Sequence, residues 1–222
     1  MTLSITKSPR HQIQSSFYAR PTLEVLRDLI GKVLVHEVRG RATSGIIVEA
    51  EAYIGESDPA CHAAAGRTAR TAPLYGPPGR AYVYFNYGLH YLVNAVTEAE
   101  GCPAAVLIRA LEPLEGIETM RRRRHQARKG SGLFRPPARP DPLDRLATED
   151  LCRGPANLTV ALGITLRQNR RDLTSSALRI EDRGIRPPAL AWSRRVGIRV
   201  GMSRRWRCAW RNHPSVSGGR AR

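Results

Sequence analysis

A chain of 222 residues can bury one sizeable hydrophobic core, and nothing in its composition demands a second. Lysine and arginine number 36 against 19 acidic residues, a formal charge of +17 that attracts polyanions and makes nucleic acid the default partner. A membrane is excluded as the partner: the sequence has no apolar span of transmembrane length, no signal-peptide pattern and no cationic amphipathic helix with a strong apolar face.

In chain order, residues 1 to 15 are polar and expected to be loose. Phe17 to Arg20 leads into a short helix, with Thr22 as its cap, Val25, Leu26, Leu29 and Ile30 as its apolar face, and Gly31 as its end. Strands are expected over Lys32 to Val38 and Gly45 to Ile54. Gly55 to Gly79 is a long loop, a length that in a compact domain usually signals function or disorder. Two runs flank Asn86-Tyr87-Gly88 and suit a hairpin over 81 to 94 with Tyr87 at its tip. A strand follows near Ala104 to Leu111, carrying Arg109, then a helix over Pro113 to Gln126 with Ile117 and Met120 inward. Its run Arg121 to Arg124 reads either as a solvated face or as a phosphate contact. Residues 129 to 142, rich in Gly, Pro and Arg, read as a flexible insertion. A helix is expected from Gly154-Pro155 to Leu162. Short strands are expected over Leu178 to Glu181 and Arg195 to Val200, then a mobile tail from Pro214.

The chemistry-bearing residues concentrate between Val48 and Asn94. In the strand ending at Ile54 the even positions are apolar, while Glu49, Glu51 and Tyr53 share the opposite face. Two carboxylates and a ring therefore look into one space, and an aromatic at the hairpin turn would be wasted on a core. By pattern alone, either glutamate could be a base, and His62 reads as a loop histidine. A polysaccharide hydrolase using Glu49 and Glu51 as an acid/base pair is disfavoured, since neighbours two apart on one face are too close to flank a glycosidic bond. Cys61, Cys102, Cys152 and Cys208 lack zinc-site or deaminase spacing, so no metal is implied.

Taken together, Val48-Glu49-Ala50-Glu51-Ala52-Tyr53-Ile54-Gly55, Cys61-His62, Gly66-Arg67-Thr68, Gly76-Pro77-Pro78-Gly79 and Tyr82-Val83-Tyr84-Phe85-Asn86-Tyr87-Gly88-Leu89-His90 resemble the alkyladenine (3-methyladenine) DNA glycosylase family. The likeness continues through Asn94, Ile108 to Pro113 and Arg153 to Ile164, and weakens over Arg199 to Trp210. It implies a single mixed α/β (α+β) domain over residues 16 to 213, around a curved antiparallel sheet with a protruding, DNA-inserting hairpin. It also implies a monofunctional enzyme that turns a damaged purine out of double-stranded DNA and hydrolyses its glycosidic bond in base excision repair. By this resemblance Glu51 is the general base and Arg109 fixes the phosphate and the water. Tyr53, His62 and Tyr84 wall the pocket, Asn94 excludes normal guanine, and Tyr87 fills the vacated gap. Lys7, Lys32 and Lys129 are the only lysines and none lies in these motifs, so no Schiff-base step is expected. No cofactor is implied, and a cytoplasmic monomer is expected. The alternative is a non-catalytic basic nucleic-acid-binding protein.

Overall fold

The computed structural model describes residues 11–86, 88–130 and 146–218. Its organising element is β3 (Arg41–Ile54), whose β-branched and alternating apolar residues suit a long strand. One edge of β3 pairs along its length with β6 (Ala104–Glu115). The other edge is shared: β2 (Val33–Val38) covers Arg41 to Ile46, and β9 (Arg207–Trp210) covers Glu49 to Glu51.

All pairings are antiparallel. β5 (His90–Val96) and β4 (Ala81–Asn86) extend the sheet beyond β6. On the other side β7 (Leu178–Asp182) pairs β2, and β1 (His11–Gln12) pairs β7. β8 (Leu190–Ser193) adds to β9. The sheet is open, with order β1-β7-β2-β3-β6-β5-β4 and the β8/β9 pair joined at β3. The expected mixed α+β fold around an antiparallel sheet is therefore present. β4 and β5 do form a hairpin, closing with Asn86 opposite His90, but Tyr87 lies outside the described residues.

Helices α1 (Ser15–Tyr18), α2 (Thr22–Leu29), α3 (Ile117–Gly130) and α4 (Pro155–Leu162) surround the sheet. Val25, Leu26 and Leu29 of α2, Met120 of α3 and Leu158 of α4 are fully buried with Ile47, Val48 and Ile108 in one apolar core. Burying each such side chain contributes roughly 1.5–3 kcal/mol. Among the described residues no helix is long and apolar enough to cross a membrane.

Several expectations are corrected. Thr22 does not cap α2: it is the first helical residue, and its hydroxyl meets Glu98 Oε1 at 2.5 Å and Thr97 Oγ1 at 2.9 Å. The helix expected from Pro113 begins later, because β6 runs on to Glu115 and Pro113 sits at a register irregularity that tolerates its missing N–H. Gly116 makes the turn at φ +73°, where a Cβ would stand 2.6 Å from Ala42 O, and α3 starts after it. Three arginines of the Arg121 to Arg124 run do more than face solvent, while Arg122 is exposed. Arg121, Arg123 and Arg124 donate to the carbonyls of Leu146, Ala161 and Leu151 at 2.6, 3.0 and 2.6 Å, closing backbone ends of neighbouring segments.

No strand forms over Arg195 to Val200; the Val196 N–H donates to Glu51 and the Arg195 side chain to Asp58 instead. Within the tail expected to be mobile from Pro214, Ser215, Val216 and Ser217 are buried. His11 and Gln12, within the segment expected to be loose, form β1. Most of the expected insertion at 129 to 142 lies outside the described residues.

Candidate active site

The centre of the site is a pair of β-bulges between β3 and β6. Ile47 pairs with Leu111, Glu49 with Ala110 and Ala50 with Ile108, so Val48 on one strand and Arg109 on the other are left without direct partners. A bulge re-aims the side chain it displaces. Here it turns Arg109 toward both glutamates: Nε donates to Glu49 Oε1 at 3.1 Å and Nη1 to Glu51 Oε2 at 3.2 Å. Both carboxylates are completely buried, and Arg109 is only 7% exposed.

The remaining partners differ in kind. Glu51 accepts from Tyr53 Oη at 2.9 Å, two residues on along the same face, and from the Val196 backbone N–H at 2.7 Å. Glu49 accepts from a second guanidinium, Arg207 Nε at 2.7 Å, and from the Ser217 backbone N–H at 2.6 Å. Burial raises the proton affinity of Glu51 above the ordinary carboxylate range. Arg109, the Val196 N–H and the Tyr53 hydroxyl oppose that rise, while the Glu49 charge adds to it.

Above this cluster opens a cavity of about 530 Å³, walled by Tyr53, His62, Tyr82, Tyr84, Asn94 and Arg109 among others. That size falls in the roughly 300–1,000 Å³ range of small-molecule pockets. β4 supplies Tyr82 and Tyr84, whose ring centroids lie 5.3 Å apart, and His62 meets the Tyr84 ring edge-on at 4.4 Å. His62 Nδ1 lies 2.9 Å from Tyr82 Oη, and the Asn94 amide donates to Tyr82 O at 2.9 Å. Burial, with help from Arg70, depresses the His62 pKa to about 4, so the ring is neutral at physiological pH.

Five sequence-predicted residues, Tyr53, His62, Tyr84, Asn94 and Arg109, thus line one cavity, with Glu51 bonded to two of them from below. Tyr87 lies outside the described residues. Sequence reasoning missed Tyr82, although its two-residue spacing from Tyr84 signals a shared face. It also missed Arg195, which is stacked 4.7 Å from the Tyr53 ring centroid and paired in the interior with Asp58 at 2.6 Å. Val196 and Ser217 act through backbone N–H groups, and Arg207 is one arginine among many. Among the described residues no group of three or more His, Cys, Asp and Glu side chains gathers to hold a metal ion.

An aromatic-walled cavity over a buried carboxylate of raised proton affinity, in a strongly basic chain, is the arrangement expected of a hydrolase acting on nucleic acid. The chain belongs to the methylpurine-DNA glycosylase (MPG) family, whose model matches residues 16–214. It is accordingly a DNA glycosylase, an N-glycosyl hydrolase of base excision repair.

Its relatives include three proteins provisionally named 3-methyladenine DNA glycosylases. One, from Clostridium acetobutylicum, is 47% identical over 183 residues, covering 82% of this chain and 84% of that protein. One from Chlorobium phaeobacteroides is 42% identical, covering 95% and 97%. The third, from the archaeon Methanocella arvoryzae, is 42% identical, covering 90% and 93%.

Proposed function

We propose that this glycosylase removes 3-methyladenine-type purine lesions from double-stranded DNA, turning the nucleotide into the aromatic cavity and hydrolysing its glycosidic bond with Glu51 as general base. The observation that carries the reading is the Glu51 carboxylate held by Arg109, Tyr53 and the Val196 N–H directly below the Tyr53, His62 and Tyr84 walls.

A purine alkylated on a ring nitrogen is cationic, and flat aromatic faces attract a ring cation. A neutral His62 adds an edge to that wall without adding a repelling charge. Alkylation has already made the base a good leaving group, so the enzyme need only supply the nucleophile. Glu51 accepts a proton from the attacking water and faces the positive charge that grows on the sugar. Arg109 is committed to Glu49 and Glu51, with Val196 O and Ser217 Oγ each at 3.5 Å, so we assign it to ordering Glu51 rather than to gripping a phosphate. Asn94, tied through its amide to Tyr82 O, crowds the 2-amino group of normal guanine. Tyr87 is the wedge that fills the gap left by the flipped nucleotide. The enzyme acts as a cytoplasmic monomer.

Single-turnover release from duplex oligonucleotides, each carrying one lesion, tests the reading: alkylated adenine is released and undamaged purines are not. Product strands stay intact until heat or alkali is applied, and borohydride traps no adduct. Lys32, for one, is bound to Asp182 at 2.6 Å and lies outside the cavity lining. An efficiently trapped complex would contradict the monofunctional reading. Tyr87→Ser slows release most for a well-paired lesion and leaves the salt dependence of binding unchanged, since no cation is lost. An equal loss in every pairing context would remove Tyr87 from the wedge role.

A further inference from the structure

We propose that Glu49 is a positioning residue for catalysis: clasped by Arg207 and the Ser217 backbone N–H, it anchors one side of the Arg109 fork and so governs the charge state in which Glu51 meets the water. The proposal rests on Glu51 being the general base. Its ground is the uneven division of cations between two equally buried carboxylates.

Glu49 Oε1 receives both guanidinium contacts, from Arg109 and Arg207, and Oε2 is closed by the Ser217 N–H. Arg207 is held in turn by Ser193 Oγ at 2.8 Å and Ser217 O at 2.7 Å, so the clasp is fixed from β9, β8 and the 213 to 217 segment. Two of the three partners of Glu49, Arg207 and Ser217, lie outside the cavity lining, whereas the three partners of Glu51, Tyr53, Arg109 and Val196, all belong to it, so Glu51 is the carboxylate tied to the cavity walls. Glu51 receives only the other arm of Arg109, plus two neutral donors.

The groups facing Glu51 are Arg109 from β6, Tyr53 and Glu49 from β3, Tyr84 from β4, and Arg195 with the Val196 N–H from the loop between β8 and β9. Among these, Glu49 acts in two ways. It sets the angle of the guanidinium, and it draws off positive charge that would otherwise acidify Glu51. A carboxylate left with the whole of Arg109 would ionise more readily and be a weaker base.

The test is the pH profile of single-turnover base release, with abasic-site DNA binding measured in parallel. In Glu49→Gln the acidic limb moves down by about one pH unit, as expected when a like charge is removed and an opposite charge is freed, and the plateau rate falls roughly tenfold. Glu49→Asp keeps the charge and brings the limb back toward its original position. Arg207→Gln shifts the limb the other way, because Glu49 then competes harder for Arg109. This variant carries the test if Glu49→Gln does not fold.

A lowered rate with an unmoved limb in Glu49→Gln, or a limb that does not rise in Arg207→Gln, makes Glu49 a merely structural ion and overturns the proposal. Glu51→Gln separates the two ideas. If it is inactive while the Glu49 and Arg207 limbs stay put, only the role of Glu49 falls. If it releases base at the unaltered rate, the base assignment falls and takes this proposal with it.

Discussion

Glu51→Gln abolishes base release while abasic-site DNA is still bound. The amide is nearly isosteric and fills the same space below the cavity, although its single oxygen can serve either the Val196 N–H or the Arg109 and Tyr53 donors, which meet different oxygens of the carboxylate. What disappears is the capacity to take a proton from water, a loss on the order of 10²–10⁴ in rate or more. Single-turnover kinetics beside an equilibrium binding assay measure the two properties separately. Activity retained in Glu51→Gln but lost in Glu49→Gln would reverse the assignment of the two carboxylates.

The same variant has a stability signature. The native proton affinity of Glu51 is raised above the unfolded value of 4.5. Below that pH both states hold the proton, and the residue costs nothing. As pH climbs toward the raised native value, the unfolded chain has fewer protons bound than the folded one, and stability is lost. Glu51→Gln lacks this titration, so its melting temperature falls less than the parent's as the pH rises from acid to neutral.

Arg109→Ala is expected to damage fold and catalysis together. It leaves Glu51 without its direct cation contact and Glu49 with Arg207 alone, both carboxylates being fully buried. Breaking a buried pair by removing one partner costs about 3–5 kcal/mol. In a domain of this size that is roughly a 10 °C fall in melting temperature. Arg109→Lys distinguishes charge from shape. A single ammonium restores part of the stability, but it cannot reproduce the planar fork that reaches both glutamates, so release stays slow. Calorimetry and single-turnover rates that recover in step for Arg109→Lys would argue against a role for the fork.

The site was legible in the sequence wherever side-chain period carried the message. Alternation over Ile46 to Ile54 placed Glu51 and Tyr53 on one face, and their 2.9 Å hydrogen bond follows from that spacing. Tyr84 was named by motif likeness, while the two-residue spacing that sets Tyr82 beside it went unread. Motif likeness, not periodicity, pointed to Glu51 over Glu49 and moved His62 from an ordinary loop histidine to a cavity wall. What stayed hidden was the work done by backbone and by irregular pairing. Val196 and Ser217 contribute N–H groups, which every non-proline residue possesses, and the bulge that aims Arg109 has no side-chain signature. Pro113 misled because a proline before an amphipathic stretch fits a first helical turn as well as it fits an irregular strand. The arginines were read as a field for polyanions and Arg109 as a contact to phosphate and water, whereas Arg109, Arg195 and Arg207 are interior and bound to carboxylates.

The paired bulges on β3 and β6 tie this site to a count as much as to a composition. Facing alternates with every residue of a strand, so one amino acid gained or lost between Val48 and Glu51 would drive the Glu51 carboxylate toward the apolar core and bring an alanine into its place. No exchange of side chains elsewhere could repair that inversion. The exposed turn at Arg39 and Gly40, where a Cβ on the glycine meets nothing within 4 Å, has no such arithmetic to respect. Along this chain, changes of length and changes of identity are therefore filtered by different rules, and the few positions around the bulge are where substitution is far easier to survive than insertion.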